Sequence, residues 1–204
     1  MDKRTVKIIN LPDALSVWDH IDKDNFRMYT ILQCSVFSSG DISITTSQLV
    51  KNGYRVAARL PIPSFIAFME EFKRLANSEQ PEGKKIVHKT GYLKGRKEDQ
   101  QIIEGPKIFA GVNKEGHPWM SIVEKEPKEG NNPIVVTIKP KEFHYYVDSE
   151  GNDVKGTRLN VIYLNGWIDM IVKQITEILH RWENEVEIGN PSDKGNVNFE
   201  EFSF

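Results

Sequence analysis

A pattern met twice limits what this chain can fold into: a series of short strand candidates, then one amphipathic helix. The first helical run, Phe65 to Ala76, puts Phe65, Met69, Phe72 and Leu75/Ala76 on one face. The second, Trp167 to Trp182, does the same with Trp167, Met170/Ile171, Ile175, Ile178/Leu179 and Trp182. Phe65 and Trp167 stand 102 residues apart, half of the 204-residue chain. A chain built this way must bury two helical stripes against β structure, which defines an α+β protein.

Turn signals divide the strand candidates. In the first half these are Val6–Ile9, Phe26–Phe37, Ile42–Thr46 and Tyr54–Leu60, the last entering its helix through Pro61-Ile62-Pro63-Ser64. In the second half they are Lys107–Val112, Trp119–Glu124, Ile134–Lys139, Phe143–Val147 and Arg158–Leu164, with Asn165-Gly166 as the joint. Leu11, Leu15, Trp18 and Ile21 predict a short additional helix over Leu11–Ile21. The expected architecture is antiparallel sheets with a helix after each, and the matching halves suggest an internal duplication. An OB-fold with added helices is the structural alternative. Residues 1–188 are expected to form one α+β domain, its halves 1–80 and 106–188 joined by a basic linker, 81–105, which carries Lys84, Lys85, Lys89, Lys94, Arg96 and Lys97. Residues 189–204 are expected to be a flexible acidic tail.

Composition narrows the function. With 39% hydrophobic and 27% charged residues the chain reads as an ordinary globular protein, and no apolar run approaches the ~20 residues of a membrane span. The N-terminus lacks the apolar core of an export signal, which predicts a cytoplasmic location in a bacterial or infected host cell. Cys34, the single cysteine, lies in an apolar strand and reads as a small buried residue. No phosphate-binding glycine loop and no zinc spacing among the five histidines is present, so neither catalysis, metal nor cofactor is expected.

Nucleic-acid binding has better material. Alternation along Tyr54–Leu60 sends Arg55 and Arg59 to one open strand face, where phosphates could be met. Cations and aromatics interleave through the second half at Lys107, Phe109, Trp119, Lys139, Tyr145, Tyr146, Arg158 and Tyr163. Cations that track a backbone and rings that stack on bases are what a single-strand site needs. Arg55, Arg59, Lys94, Arg96, Lys97, Lys107, Lys139 and Arg158 are therefore the expected phosphate contacts, and Trp119, Tyr145, Tyr146 and Tyr163 the expected stacking residues. From Glu183 onward six acidic residues against Lys194 give −5, which leaves +3 for residues 1–182 of a chain whose total is −2. An acidic tail on a mildly basic body fits a segment that competes with a polyanion or recruits a partner, and Glu200, Glu201, Phe202 and Phe204 are its candidate contacts.

The stretch from Trp119-Met120-Ser121-Ile122 through Arg158–Leu164 into the Trp167 helix resembles the Whirly fold and the related positive-cofactor-four type of single-stranded DNA-binding unit. The resemblance implies non-sequence-specific single-strand binding and oligomerisation through the helices. Separately, Glu200-Glu201-Phe202-Ser203-Phe204 is similar to the acidic, Phe-ended tails of bacterial and bacteriophage single-strand-binding proteins. The expected function is single-stranded DNA binding in replication or recombination, by a homo-oligomer whose tail recruits replication or recombination proteins. The alternative is a phage-type inhibitor or adaptor acting on a host enzyme, which the net charge of −2 also suits.

Overall fold

A computed structural model of the chain describes residues 7–20, 29–49, 53–94, 100–126, 133–140 and 146–188. The first sheet contains β1 (Ile8–Asn10), β2 (Val17–His20), β3 (Tyr29–Phe37), β4 (Asp41–Gln48) and β5 (Arg55–Pro61), and α1 (Ile62–Ala76) follows it. β3, β4 and β5 form an antiparallel meander. The other edge of β3 is shared: β1 pairs with its Ser35–Phe37 end and β2 with its Tyr29–Leu32 end. Period-two alternation buries Leu32, Cys34 and Val36 of β3, Ile42 and Ile44 of β4, and Val56, Ala58 and Leu60 of β5. Gly40 adopts φ +84° in the β3–β4 turn, a conformation that favours glycine.

The helix expected over Leu11–Ile21 is not formed. A three-residue 3-10 turn, Asp13–Leu15, gives way to β2, in which Val17 is buried and Trp18 exposed. Ladder pairing with β3 and the strand preference of adjacent Val and Trp outweigh an apolar spacing that only mimics a helix.

The second sheet is also a meander, β6 (Lys85–Lys94), β7 (Gln101–Val112), β8 (Pro118–Val123) and β9 (Ile134–Thr137), in that order. Residues 81–105 therefore do not form a connector: they hold β6 and the start of β7. Their lysines conceal a period-two pattern, with Lys85, Val87 and Lys89 exposed and Ile86, His88 and Thr90 turned inward. The β6–β7 register shifts between Lys89 and Gly91, opposite Gly105-Pro106. There the Thr90 hydroxyl donates to the Pro106 carbonyl at 2.5 Å, and a bulge accommodates the proline, which has no N–H to offer a ladder. Past the bulge, β6 and β7 continue as a two-stranded ribbon beyond the end of β8 and carry Ile102 at 80% exposure.

A small hairpin, β10 (Tyr146–Val147) and β11 (Asp153–Val154), leads into α2 (Gly156–Ile188). The strand expected over Arg158–Leu164 is instead the opening of α2, and Asn165-Gly166 lies inside the helix. The buried positions Val161, Leu164, Ile168, Ile171, Ile175 and Ile178 recur every three or four residues, so tertiary packing outweighs the local turn signal. Met170, placed on the apolar stripe by spacing, is 54% exposed, and Ile171 takes the buried position.

The inner faces of both sheets and one side of each helix share a single core in which Phe65, Met69 and Phe72 are fully buried. β9 lies against β2, β3 and β4, and β5 lies against β6, β7 and β8, so the sheets meet through their apolar faces. α1 packs on β4–β7; α2 packs on α1, β8 and the 3-10 turn. Lys73 of α1 donates to Asp169 of α2 at 2.6 Å. Among the described residues no helix is long and apolar enough to cross a membrane. Both helices pack at the core, so among the described residues neither helix covers the outer face of a sheet.

Candidate nucleic-acid interface

Strand register decides which side chains share an outer face. On the second sheet Lys85, Gly111, Trp119 and Thr137 lie in one row across β6 to β9. The next row is Val87, Phe109, Ser121 and Val135, and the third is Lys89, Lys107 and Val123. These rows hold three lysines, two aromatic rings and no carboxylate. The Lys85 ammonium lies 5.7 Å from the centre of the Phe109 ring, a cation–π geometry. Lys89 and Lys107 stand directly opposite each other, an arrangement that like-charge repulsion disfavours in a bare sheet. The Ser121 hydroxyl is buried in the middle row with no hydrogen-bond partner among the described residues. At the end of β8 the nearby carboxylate, Glu124, is occupied: burial first, and a hydrogen bond to Glu124 second, raise the Tyr54 phenol above its ordinary value.

The outer face of the first sheet differs in chemistry. Trp18, Ile31, Ser47 and Arg55 form one row, Gln33, Thr45 and Ala57 the next, and Asn10, Ser35, Ser43 and Arg59 the third. Trp18 is 51% exposed and meets Tyr29 edge-on with centroids 6.2 Å apart. Arg55 and Arg59 do share this face, four residues or about 13 Å apart along the strand. Their situations are unequal. Arg59 donates to Asp41 through Nε and Nη2 at 3.0 and 2.7 Å, donates to the Ser39 hydroxyl at 2.7 Å, and lies 4.2 Å over the Phe37 ring. Its charge is already matched, whereas Arg55 has no carboxylate partner among the described residues.

The other expected contacts lie outside these paired rows of either face. Lys94 is exposed on the distal ribbon opposite Gln101. Lys139 is exposed just past β9, where Ile138 donates its N–H to the Pro118 carbonyl. Tyr146, Arg158 and Tyr163 form a third surface on β10 and the start of α2. Burial, and then the neighbouring Tyr146, raise the Tyr163 phenol. Arg158 lies 4.0 Å from Asp148 and lines a groove of about 570 Å³ between the end of α1 and the start of α2, with Glu79, Glu82 and Ile162. Arg96, Lys97, Tyr145 and the tail residues Glu200, Glu201, Phe202 and Phe204 lie outside the described residues.

Of the expected contacts, Lys107 and Trp119 share the second-sheet face, and Arg55 and Arg59 the first. Sequence reasoning left Lys85 and Lys89 in a connector and did not single out Trp18 or Tyr29. The alternation of Lys85, Val87 and Lys89 with Ile86 and His88 was the available signal for the first pair. Among the described residues no three His, Cys, Asp or Glu side chains converge as a metal site would require. Compared with known protein families and with curated proteins, the chain matches neither a family model nor an individual sequence.

Proposed function

We propose that the protein binds single-stranded DNA without sequence preference, through the outer face of the second sheet, in replication or recombination. The observation that carries this reading is the set of three paired rows, free of carboxylates, in which Lys85, Lys89 and Lys107 surround Phe109 and Trp119. Lysines supply phosphate contacts whose free energy comes largely from counterion release. The rings supply stacking, which accepts any base because every base has a π-face. The opposed Lys89–Lys107 pair adds a specific argument: its repulsion disfavours the empty face and is relieved by an anion between the two ammonium groups.

Two successive meanders, each followed by a helix, favour a duplicated Whirly-type unit over the Greek-key barrel of an OB-fold. The apolar surface that α2 presents at Ile162 and Met170 is where a second copy would pack. The acidic aromatic tail, residues 189–204, would compete with DNA for the basic face and recruit partner proteins.

Fluorescence anisotropy of a labelled oligothymidylate, with the full chain and with a chain ending at Ile188, tests the proposal. Affinity that falls with salt, and is tighter in the shortened chain, is expected. Each lysine contact removed should reduce the log–log salt slope by about 0.7. No binding by either form sinks the proposal and leaves the adaptor reading, for which capture of partners by the tail is the next experiment.

A further inference from the structure

The two outer faces belong to different sheets, yet each carries a tryptophan close to one seam. β2, an edge strand of the first sheet, lies against β9, an edge strand of the second. The Thr137 backbone N–H donates to Asp19 Oδ2 at 3.1 Å across that seam. Asp19 follows Trp18 in β2, and Thr137 lies directly opposite Trp119 in the β8–β9 ladder. The path from the Trp18 backbone to the Trp119 backbone is thus one peptide step, one carboxylate-to-amide bridge and one strand spacing, about 17 Å at most. Each tryptophan is the aromatic residue of its own face nearest the seam.

Resting on the single-strand reading above, we infer that the first sheet carries a second track for the same ligand, and that one strand of nucleic acid wraps the β2–β9 edge to engage both faces. The chemistry of the second track fits this occupant. Trp18, half exposed and braced edge-on by Tyr29, offers a ring for stacking at the seam. Arg55, in the same row and three strands away, offers a guanidinium that no described carboxylate neutralises. Between and beside them lie Ser47, Gln33 and the buried Thr45, neutral groups that do not repel phosphate. The Asp41 carboxylate, in the row beyond Arg59, is held by Arg59. Continuity with the lysine-rich face settles the order of engagement: the second sheet binds first, and the strand reaches Trp18 and Arg55 only when it is long enough to turn the edge.

Length dependence tests this. Binding is measured to oligothymidylates of about 8 nucleotides, within the ~4–16 nucleotide site of a single module, and of about 30, well beyond it. The double variant Trp18→Ala/Arg55→Gln should lose tenfold or more in affinity for the long oligonucleotide and less than twofold for the short one. Trp119→Ala/Lys107→Gln should lose affinity for both. Trp18→Phe, which keeps an aromatic face, should retain most of the long-oligonucleotide affinity, and thermal melting checks that every variant is folded. If the Trp18/Arg55 variant loses affinity for neither length, or equally for both, the wrapped second track is overturned while the second-sheet reading stands. If the Trp119/Lys107 variant also binds as the unaltered chain does, the single-strand reading itself falls, and the inference with it.

Discussion

The indole N–H of Trp167 donates to the carbonyl oxygen of Leu15 at 2.8 Å, closing a loop of 152 positions. It ties α2 to the 3-10 turn that precedes β2, and the ring is almost fully buried. Trp167→Phe keeps most of the apolar volume but leaves the carbonyl without its donor. The expected loss is about 1–3 kcal/mol of unfolding free energy, read from denaturant unfolding.

Lys89 and Lys107 give a prediction with opposite signs in two assays. Lys89→Gln removes one member of a directly opposed like-charge pair and should raise stability at low salt by about 0.2–1 kcal/mol. The same change should weaken single-strand binding. A variant less stable than the parent would mean that the repulsion is already relieved within the protein.

His88 faces inward on β6, edge-on to Phe68 at 5.8 Å. Burial holds its pKa below the ordinary 6.5, so the unfolded chain takes up a proton before the folded one does. Its stabilising contribution is complete above pH 6.5 and is lost as pH falls from there toward the folded pKa. Melting temperature should therefore decline across that window, and His88→Phe should flatten this part of the profile.

Cys34 is buried on the inner face of β3, and burial pushes its thiol up to about 12. The thiolate, the reactive form, is scarce in the folded protein. Ellman's reagent at mildly alkaline pH should leave the native chain unmodified and titrate one thiol once denaturant is added. Rapid reaction of the native protein would contradict the packing of β3.

Gly116 turns β7 into β8 with φ +78°, and its carbonyl accepts a 3.1 Å bond from Asn160 Nδ2 in α2. A methyl group there would both strain the backbone and overlap the Thr157 hydroxyl. Gly116→Ala should cost more than about 1 kcal/mol, visible as a lowered denaturation midpoint.

The parts of this fold legible in the sequence are those where one interaction dominates. Alternation in β5 places Arg55 and Arg59 outward and Val56, Ala58 and Leu60 inward, and the spacing of Phe65, Met69 and Phe72 identifies α1 without ambiguity. Errors fall where two signals compete. Asn165-Gly166 carries turn chemistry, yet burial on both sides carries α2 straight through it. Leu11, Leu15 and Trp18 are spaced like a helix, but β3 leaves half an edge free for β2. The candidate interface was legible as residue types and not as a surface. Only register brings Lys85 into the row of Trp119, 34 positions away, and only the packing of β2 on β9 brings Trp18 to the same seam.

β6 is the outermost strand of its sheet, with one row of backbone groups unpaired by any described strand. Such an edge is a template on which another chain can add, and lysines along a strand are a common safeguard against it. Lys85, Lys89 and Lys94 stand along this edge where such a safeguard would act. Neutralising all three would leave Val87 and Tyr92 on an undefended edge, so the face proposed to bind a polyanion would also guard the sheet against polymerising.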